Sequence, residues 1–219
     1  MSKELKKRIL TSIILIAIVL NCIFINNFSW LVLLAIVSLI CWFEFINLIN
    51  KIWKKITPKY FLIFLSFLFL FYFSYTAYKL KINEGEMFLI FILLVCIFSD
   101  IGGYVVGKII GGAKLTKISP NKTISGSIGS FLFSLFPLGI FVNFGSVIAL
   151  GSFLTQSNYR IVLLCLTLSF ACQIGDLTIS VFKRLSKVKD TGKILPGHGG
   201  LLDRVDGIIF AIPVMTIFY

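Results

Sequence analysis

Six apolar runs of roughly membrane length, bounded by basic residues, dominate this chain and constrain it more than any other feature. They cover approximately Ile9 to Ile25, Trp30 to Ile49, Tyr60 to Tyr78, Met87 to Val106, Ser127 to Leu150 and Tyr159 to Phe182. A helix needs about 20 mostly apolar residues to cross a hydrocarbon core of about 30 Å. A seventh run, Ile208 to Tyr219, is only twelve residues long and reads as a half-span, a tilted partial span or a helix resting on the bundle. The expected fold is therefore an all-α integral membrane protein of about seven transmembrane helices, six full spans and a short one at the C-terminus. Composition agrees: of 219 residues 58% are hydrophobic and 14% charged, against about a quarter charged in soluble domains. So much Phe, Leu and Ile exceeds what a ball of this size can bury, which excludes a soluble enzyme, a secreted domain and a disordered regulator.

Charge placement sets the expected topology. Lys3, Lys6, Lys7 and Arg8 precede the first run as they would in a signal peptide. No small-residue cleavage site follows, and a second run begins at once, so the first is expected to remain as a helix. With the N-terminus cytoplasmic, 18 of the 21 basic residues fall on inner segments, leaving only Lys79, Lys81 and Arg160 outside. That asymmetry follows the positive-inside rule and places the two long polar loops in the cytoplasm. The net charge of +12 thus reads as topology, and no nucleic-acid partner is expected. The expected location is the inner (cytoplasmic) membrane, multi-pass, with the site facing the cytoplasm. Residues 1–86 read as an N-terminal group of three spans and residues 87–219 as the catalytic membrane region.

Cys22, Cys41, Cys96, Cys165 and Cys172 all lie inside apolar runs without a C-x-x-C pair, and read as plain core or lipid-facing thiols. His198 is the only histidine, so a His-rich zinc site cannot be built, and any metal must sit on oxygen ligands.

Ionisable groups inside spans are functional candidates by default. Glu44, near the inner end of the second span, has the plainer reading of a snorkelling or locally paired carboxylate. Asp100, Tyr104 and Lys108 step by four residues along one stripe of the fourth span, which Gly102, Gly103 and Gly107 thin for close packing or a cavity. Ser169, Gln173, Asp176, Ser180 and Lys183 form a similar inward stripe in the sixth. Interhelical hydrogen bonding alone would explain the hydroxyls, but a charged Asp176 is an expensive choice for it.

Two loops carry the remaining polar chemistry. The later one runs through Lys183-Arg184, Lys187, Lys189-Asp190, Pro196-Gly197-His198-Gly199-Gly200 and Asp203-Arg204-Val205-Asp206. An inner-leaflet patch explains the first cations but not the interleaved carboxylates and glycine turn. Asp oxygens suit Mg²⁺, which shares its shell with phosphates and water, and glycine-turn amides with Lys and Arg complete a polyphosphate site. The earlier loop, Gly111 to Gly126, offers Ser119, Lys122 and Thr123 just ahead of a helix N-terminus, a setting that favours an anion. It is not a Walker A loop. These residues point to phosphoryl or nucleotidyl transfer to a membrane-resident acceptor.

The run from Ser180 to Arg184, then Lys189-Asp190-Thr191-Gly192 and Leu195 to Asp206, resembles the signature of phosphatidate cytidylyltransferases, the CDP-diacylglycerol synthases. Gln173, Gly175-Asp176-Leu177, Asp100, Tyr104, Gly107-Lys108, Ile118-Ser119-Pro120 and Lys122-Thr123 are similar to the same family, and the resemblance covers about residues 96–207. It implies transfer of a cytidylyl group from CTP to phosphatidate, giving CDP-diacylglycerol and pyrophosphate, in phospholipid biosynthesis. It implies Mg²⁺, with a monovalent cation such as K⁺ beside it, and a homodimer. By resemblance Asp176 and Asp203 would hold the metal, with Asp190, Asp206 and Asp100 in support and Lys183 and Arg204 catalytic. Arg184, Lys189, His198, Gly199 and Gly200, with Ser119, Lys122, Thr123, Tyr104 and Lys108, would receive the CTP phosphates and the lipid head. The chain departs from the common pattern at Asn121, Ser125, Ile179 and Gly207. Competing readings are a CTP-dependent lipid kinase or an isoprenoid-lipid cytidylyltransferase, and, from another class, a transporter. A transporter would place its site near the midplane between repeated halves, whereas here the polar residues crowd the inner ends. An alcohol phosphotransferase would need an aspartate motif beginning Asp-Gly with Ala-Arg two residues on, which the loops do not supply.

Overall fold

The computed structural model describes residues 3–53, 56–116, 119, 122–143 and 158–218. Lys54, Lys55, Lys117, Ile118, Pro120, Asn121, Tyr219 and the end of the fifth run lie outside the described residues. The described chain is helical: α1 (Lys3–Ile25), α2 (Asn27–Ile52), α3 (Ile56–Glu84), α4 (Glu86–Ile110), α5 (Ile124–Phe133), α6 (Phe136–Asn143), α7 (Asn158–Leu185) and α8 (Leu202–Val214), then a 3-10 turn over Met215–Ile217. Among the described residues six segments are long and apolar enough to cross a membrane, the fifth being Ile124–Phe141 and the sixth Tyr159–Leu185. The chain is a multi-pass membrane protein.

The fifth run differs from the single helix expected over Ser127 to Leu150. It breaks at Ser134-Leu135 into α5 and α6. Pro137 explains the position, because it has no N–H to donate back to Phe133 and its ring would clash with that carbonyl. Ser134 Oγ instead donates to Phe131 O at 2.7 Å. The short C-terminal run becomes α8, which begins earlier than the apolar run, at Leu202.

The chain divides into two compact units. Unit 1 comprises residues 1–78 and 181–205. Its α2 and α3 are fastened by polar bonds, as expected where lipid supplies no hydrophobic drive between helices: Trp30 Nε1 donates to Ala77 O at 3.2 Å, Trp42 Nε1 to Ile63 O at 3.2 Å, and the Ser38 and Ser74 hydroxyls lie 2.7 Å apart.

Unit 2 comprises residues 79–180 and 206–219. Here α4 and α5 approach closely because glycines face one another. A Cβ on Gly102 would strike Phe133 and the Gly129 carbonyl, and one on Gly129 would strike Val106. The Ser99 and Ser169 hydroxyls, 2.8 Å apart and buried, join α4 to α7. The five cysteines are thiols outside any disulfide, and four are buried.

Candidate active site

In unit 2, α4 ends where Gly111 and Gly112 adopt φ of +62° and +102°, a left-handed backbone that glycine alone takes without strain. The chain returns through an antiparallel bridge between Lys114 and Thr123, with Leu115 N donating to Lys122 O at 2.8 Å. Thr123 then caps α5, its hydroxyl accepting from Gly126 N at 3.0 Å, as N-cap threonines do. Ser125 Oγ donates to Gly111 O and lies 3.0 Å from Thr123 Oγ1, so this serine ties the start of α5 to the end of α4.

These turns frame a cavity of about 350 Å³ lined by Asp100, Tyr104, Ser119, Lys122, Thr123 and Asp176, among others. Six residues predicted from the sequence thus share one pocket, although they come from α4, the loop and α7. Lys122 Nζ forms an ion pair with Asp176 Oδ2, and Ser180 Oγ donates weakly to Asp176 Oδ1 at 3.4 Å. Gln173 and Ser127, which are hydrogen-bonded to each other, also line the wall. Lys108 does not line it. Its ammonium lies 5.6 Å from the centre of the Tyr104 ring, in keeping with their shared stripe. Asp206 belongs to this unit and accepts from Gly207 N at 3.0 Å.

In unit 1 the loop after α7 is organised around two carboxylates. Asp203 Oδ1 accepts from Lys183 Nζ at 2.7 Å, while Oδ2 accepts from Thr191 N at 2.8 Å, Thr191 Oγ1 at 3.0 Å and Gly200 N at 3.1 Å. Partial burial opposes the charge on Asp203, but the Lys183 hydrogen bond and these amides outweigh it and hold the carboxyl below its ordinary pKa. The second carboxylate is Glu44, 3% exposed. It accepts from Thr191 Oγ1 at 2.8 Å, Leu201 N at 3.0 Å and Leu202 N at 2.9 Å. Rather than snorkelling, it is paired with a loop about 150 residues away. Sequence gave little sign of this; the only hint was a carboxylate inside an apolar run.

His198 is held by α1: its Nδ1 lies 2.7 Å from Thr11 Oγ1 and its Nε2 3.3 Å from Ser12 Oγ. Slight burial, then Arg204 and Arg8, lower its pKa despite the Pro196 backbone. Arg204 Nη2 donates to His198 O at 3.0 Å. Gly199 takes φ +86° beside Asp190 and Asp203. Arg184, Lys189 and Asp190 are exposed.

Among the described residues no three His, Cys, Asp or Glu side chains converge as a metal site. The pocket of unit 2 nevertheless offers two carboxylates, an amide and hydroxyls, an all-oxygen set that fits a hard divalent ion completing its shell with phosphate and water. Asp203 Oδ1 accepts only from Lys183 among the described contacts, so it too retains acceptor capacity.

Residues 48–219, more than half of the chain, match the cytidylyltransferase family. Proteins named phosphatidate cytidylyltransferase are similar to it: 42% identity over 139 residues in Staphylococcus saprophyticus, 41% over 137 in Staphylococcus epidermidis and 43% over 140 in Staphylococcus aureus. Each match covers 62% of this chain and 50% of the relative, so the chain spans about half the length of the curated relatives it matches. The matched stretch takes in both polar loops, and the chain belongs to the cytidylyltransferase family.

Proposed function

We propose that this chain transfers a cytidylyl group from CTP to phosphatidate, releasing pyrophosphate and leaving CDP-diacylglycerol in the membrane. The observation that carries the reading is the unit 2 pocket, where Asp100 and Asp176 face Lys122, Ser119 and Thr123. Two acidic groups for a cation, an ammonium and hydroxyls for phosphate oxygens, and the start of a helix behind them suit a nucleoside triphosphate. The phosphate of phosphatidate is already a nucleophile, so the protein's task is to orient it in line with the α-phosphorus and to offset charge.

In unit 2 Asp176 is the proposed principal ligand of Mg²⁺, with Asp100 and Asp206 in support, and in unit 1 Asp203 is, with Asp190 in support. When bound, the ion would neutralise phosphate charge and stabilise the departing pyrophosphate. Lys122, now paired with Asp176, would turn to substrate phosphate once that carboxylate has a cation. Lys183 holds Asp203 Oδ1 and stands ready for the same exchange, while Arg184, Lys189 and Arg204 supply further cations. His198 lends its backbone to Arg204 and its ring to α1. The proposed setting is the inner membrane with the site facing the cytoplasm, and the proposed assembly is a homodimer.

The reading is tested with tritiated CTP and purified protein in mixed micelles, with and without phosphatidate and Mg²⁺. Lipid-soluble label that requires both additions and is lost in Asp203→Asn supports it. Failure to form lipid-linked cytidine under Mg²⁺, Mn²⁺ and K⁺ conditions overturns it.

A further inference from the structure

We infer that Glu44, on a helix remote in sequence from both loops, is a positioning residue for Asp203. This inference rests on the proposed reaction, but its geometry stands apart from it. Glu44 lies before residue 48, where the family match begins, and makes no described contact with Asp203. The Thr191 side chain joins them, its Oγ1 being 2.8 Å from Glu44 Oε2 and 3.0 Å from Asp203 Oδ2. One hydroxyl carries one proton, so it cannot donate fully to both carboxylates; any shift of Glu44 changes what Asp203 receives.

The backbone adds a second link. Glu44 accepts from Leu201 N and Leu202 N at the start of α8, and Asp203 is the next residue. It therefore fixes the turn from which Asp203 projects, as well as the loop that donates to it. An independent observation comes from the glycines. Neither Gly192 nor Gly200 has positive φ, yet a Cβ on either would collide with the Glu44 carboxylate. Two positions of the loop are thus glycine because a carboxylate from α2 is packed against the backbone there.

Gln cannot replace Glu44 here. Its single oxygen can serve Leu201 N, or Leu202 N with Thr191, and its NH₂ must then face the other donor. The fault should pass to Asp203 and appear as weakened divalent-ion affinity, since groups that orient a ligand typically change metal affinity by about 10–100-fold.

The test compares wild type, Glu44→Gln, Thr191→Val, Thr191→Ser and the Glu44→Gln/Thr191→Val double variant. One readout is the Mg²⁺ concentration for half-maximal CTP turnover. The other is Mn²⁺ binding to the purified proteins without substrates, followed by the electron paramagnetic resonance of free Mn²⁺. Glu44→Gln and Thr191→Val are each expected to weaken both by roughly 10-fold or more, the double variant by no more than the larger single effect, and Thr191→Ser hardly at all. Turnover that falls in Glu44→Gln with wild-type Mg²⁺ dependence and Mn²⁺ binding overturns the inference, since that is the result of a purely structural clamp. Multiplicative effects in the double variant also overturn it. If Glu44→Gln does not fold, Thr191→Val alone decides by the same readouts. Wild type that binds Mn²⁺ but forms no CDP-lipid sinks the proposed reaction and leaves the Mn²⁺ readout to judge Glu44.

Discussion

Asp203 and Asp176 carry the same carboxylate and are held in opposite ways. The Asp203 side chain is 7% exposed and accepts from Lys183 and three donors of one folded loop. The Asp176 side chain is 38% exposed, with its main partner the flexible ammonium of Lys122 and a long bond from Ser180. Moving Asp203 means unmaking the loop, whereas Asp176 changes partner when one lysine swings away. An aspartate anchored by backbone amides is architecture as well as chemistry; one facing a lone ammonium in an open pocket is free to exchange partners.

The largest expected effect separates these two roles. Asp203→Asn and Asp176→Asn should each lower turnover by about 10³-fold or more. Only Asp203→Asn should also destabilise the fold, by about 3 kcal/mol, because its amide nitrogen must face an N–H or Lys183. Asp176→Asn should change stability by less than about 1 kcal/mol, the usual range for an exposed pair. Melting in detergent beside label transfer checks this, and equal destabilisation would erase the contrast.

Next in size is the α4–α5 contact that shapes the open pocket. Gly129→Leu should force the helices apart, costing about 1–3 kcal/mol or more, and should abolish turnover. Gly139→Ala, where a Cβ meets nothing within 4 Å, should leave both intact. Lys122→Met should then raise the KM for CTP by about 10-fold with little change in melting. An unchanged KM would remove Lys122 from phosphate binding.

The smallest effect is that of pH on the anchored loop. Asp203 is held below its ordinary pKa, so its contribution to stability is present above the ordinary carboxylate value and is lost as pH falls through the lowered one. His198 is also lowered, so below the ordinary imidazole value the unfolded chain takes up the proton first and stability declines with falling pH. Melting temperature should drop between pH 8 and pH 5, and His198→Ala should flatten the part of that drop nearest neutrality. Identical profiles would show that the His198 ring contributes nothing there.

Much of this was legible in the sequence because membrane spans and polar, glycine-bearing loops use strong local signals. The apolar runs marked the long helices, and the four-residue steps put Asp100 and Tyr104 on one wall of the pocket. The family resemblance over residues 96–207 agrees with the match over residues 48–219. Less was legible where structure depends on distant partners. The break before α6 follows from Pro137, a local cue overridden by hydropathy across Ser127 to Leu150. The place of Glu44 could not be read, because its donors, Thr191, Leu201 and Leu202, come together with it only after folding. Likewise Gly192 and Gly200 look like turn glycines, yet what they make room for is a side chain of α2. The two hydroxyls that engage His198 lie on α1, in a run that hydropathy describes only as apolar.

The most direct test of cytidylyl transfer is to follow two labels in parallel, CTP carrying ³²P at the α-phosphate and CTP carrying it at the γ-phosphate, with phosphatidate and Mg²⁺. The prediction is that α-label enters the lipid phase while γ-label leaves entirely as pyrophosphate. Transfer of γ-label to lipid, with release of CDP, would contradict it and make the protein a CTP-dependent lipid kinase.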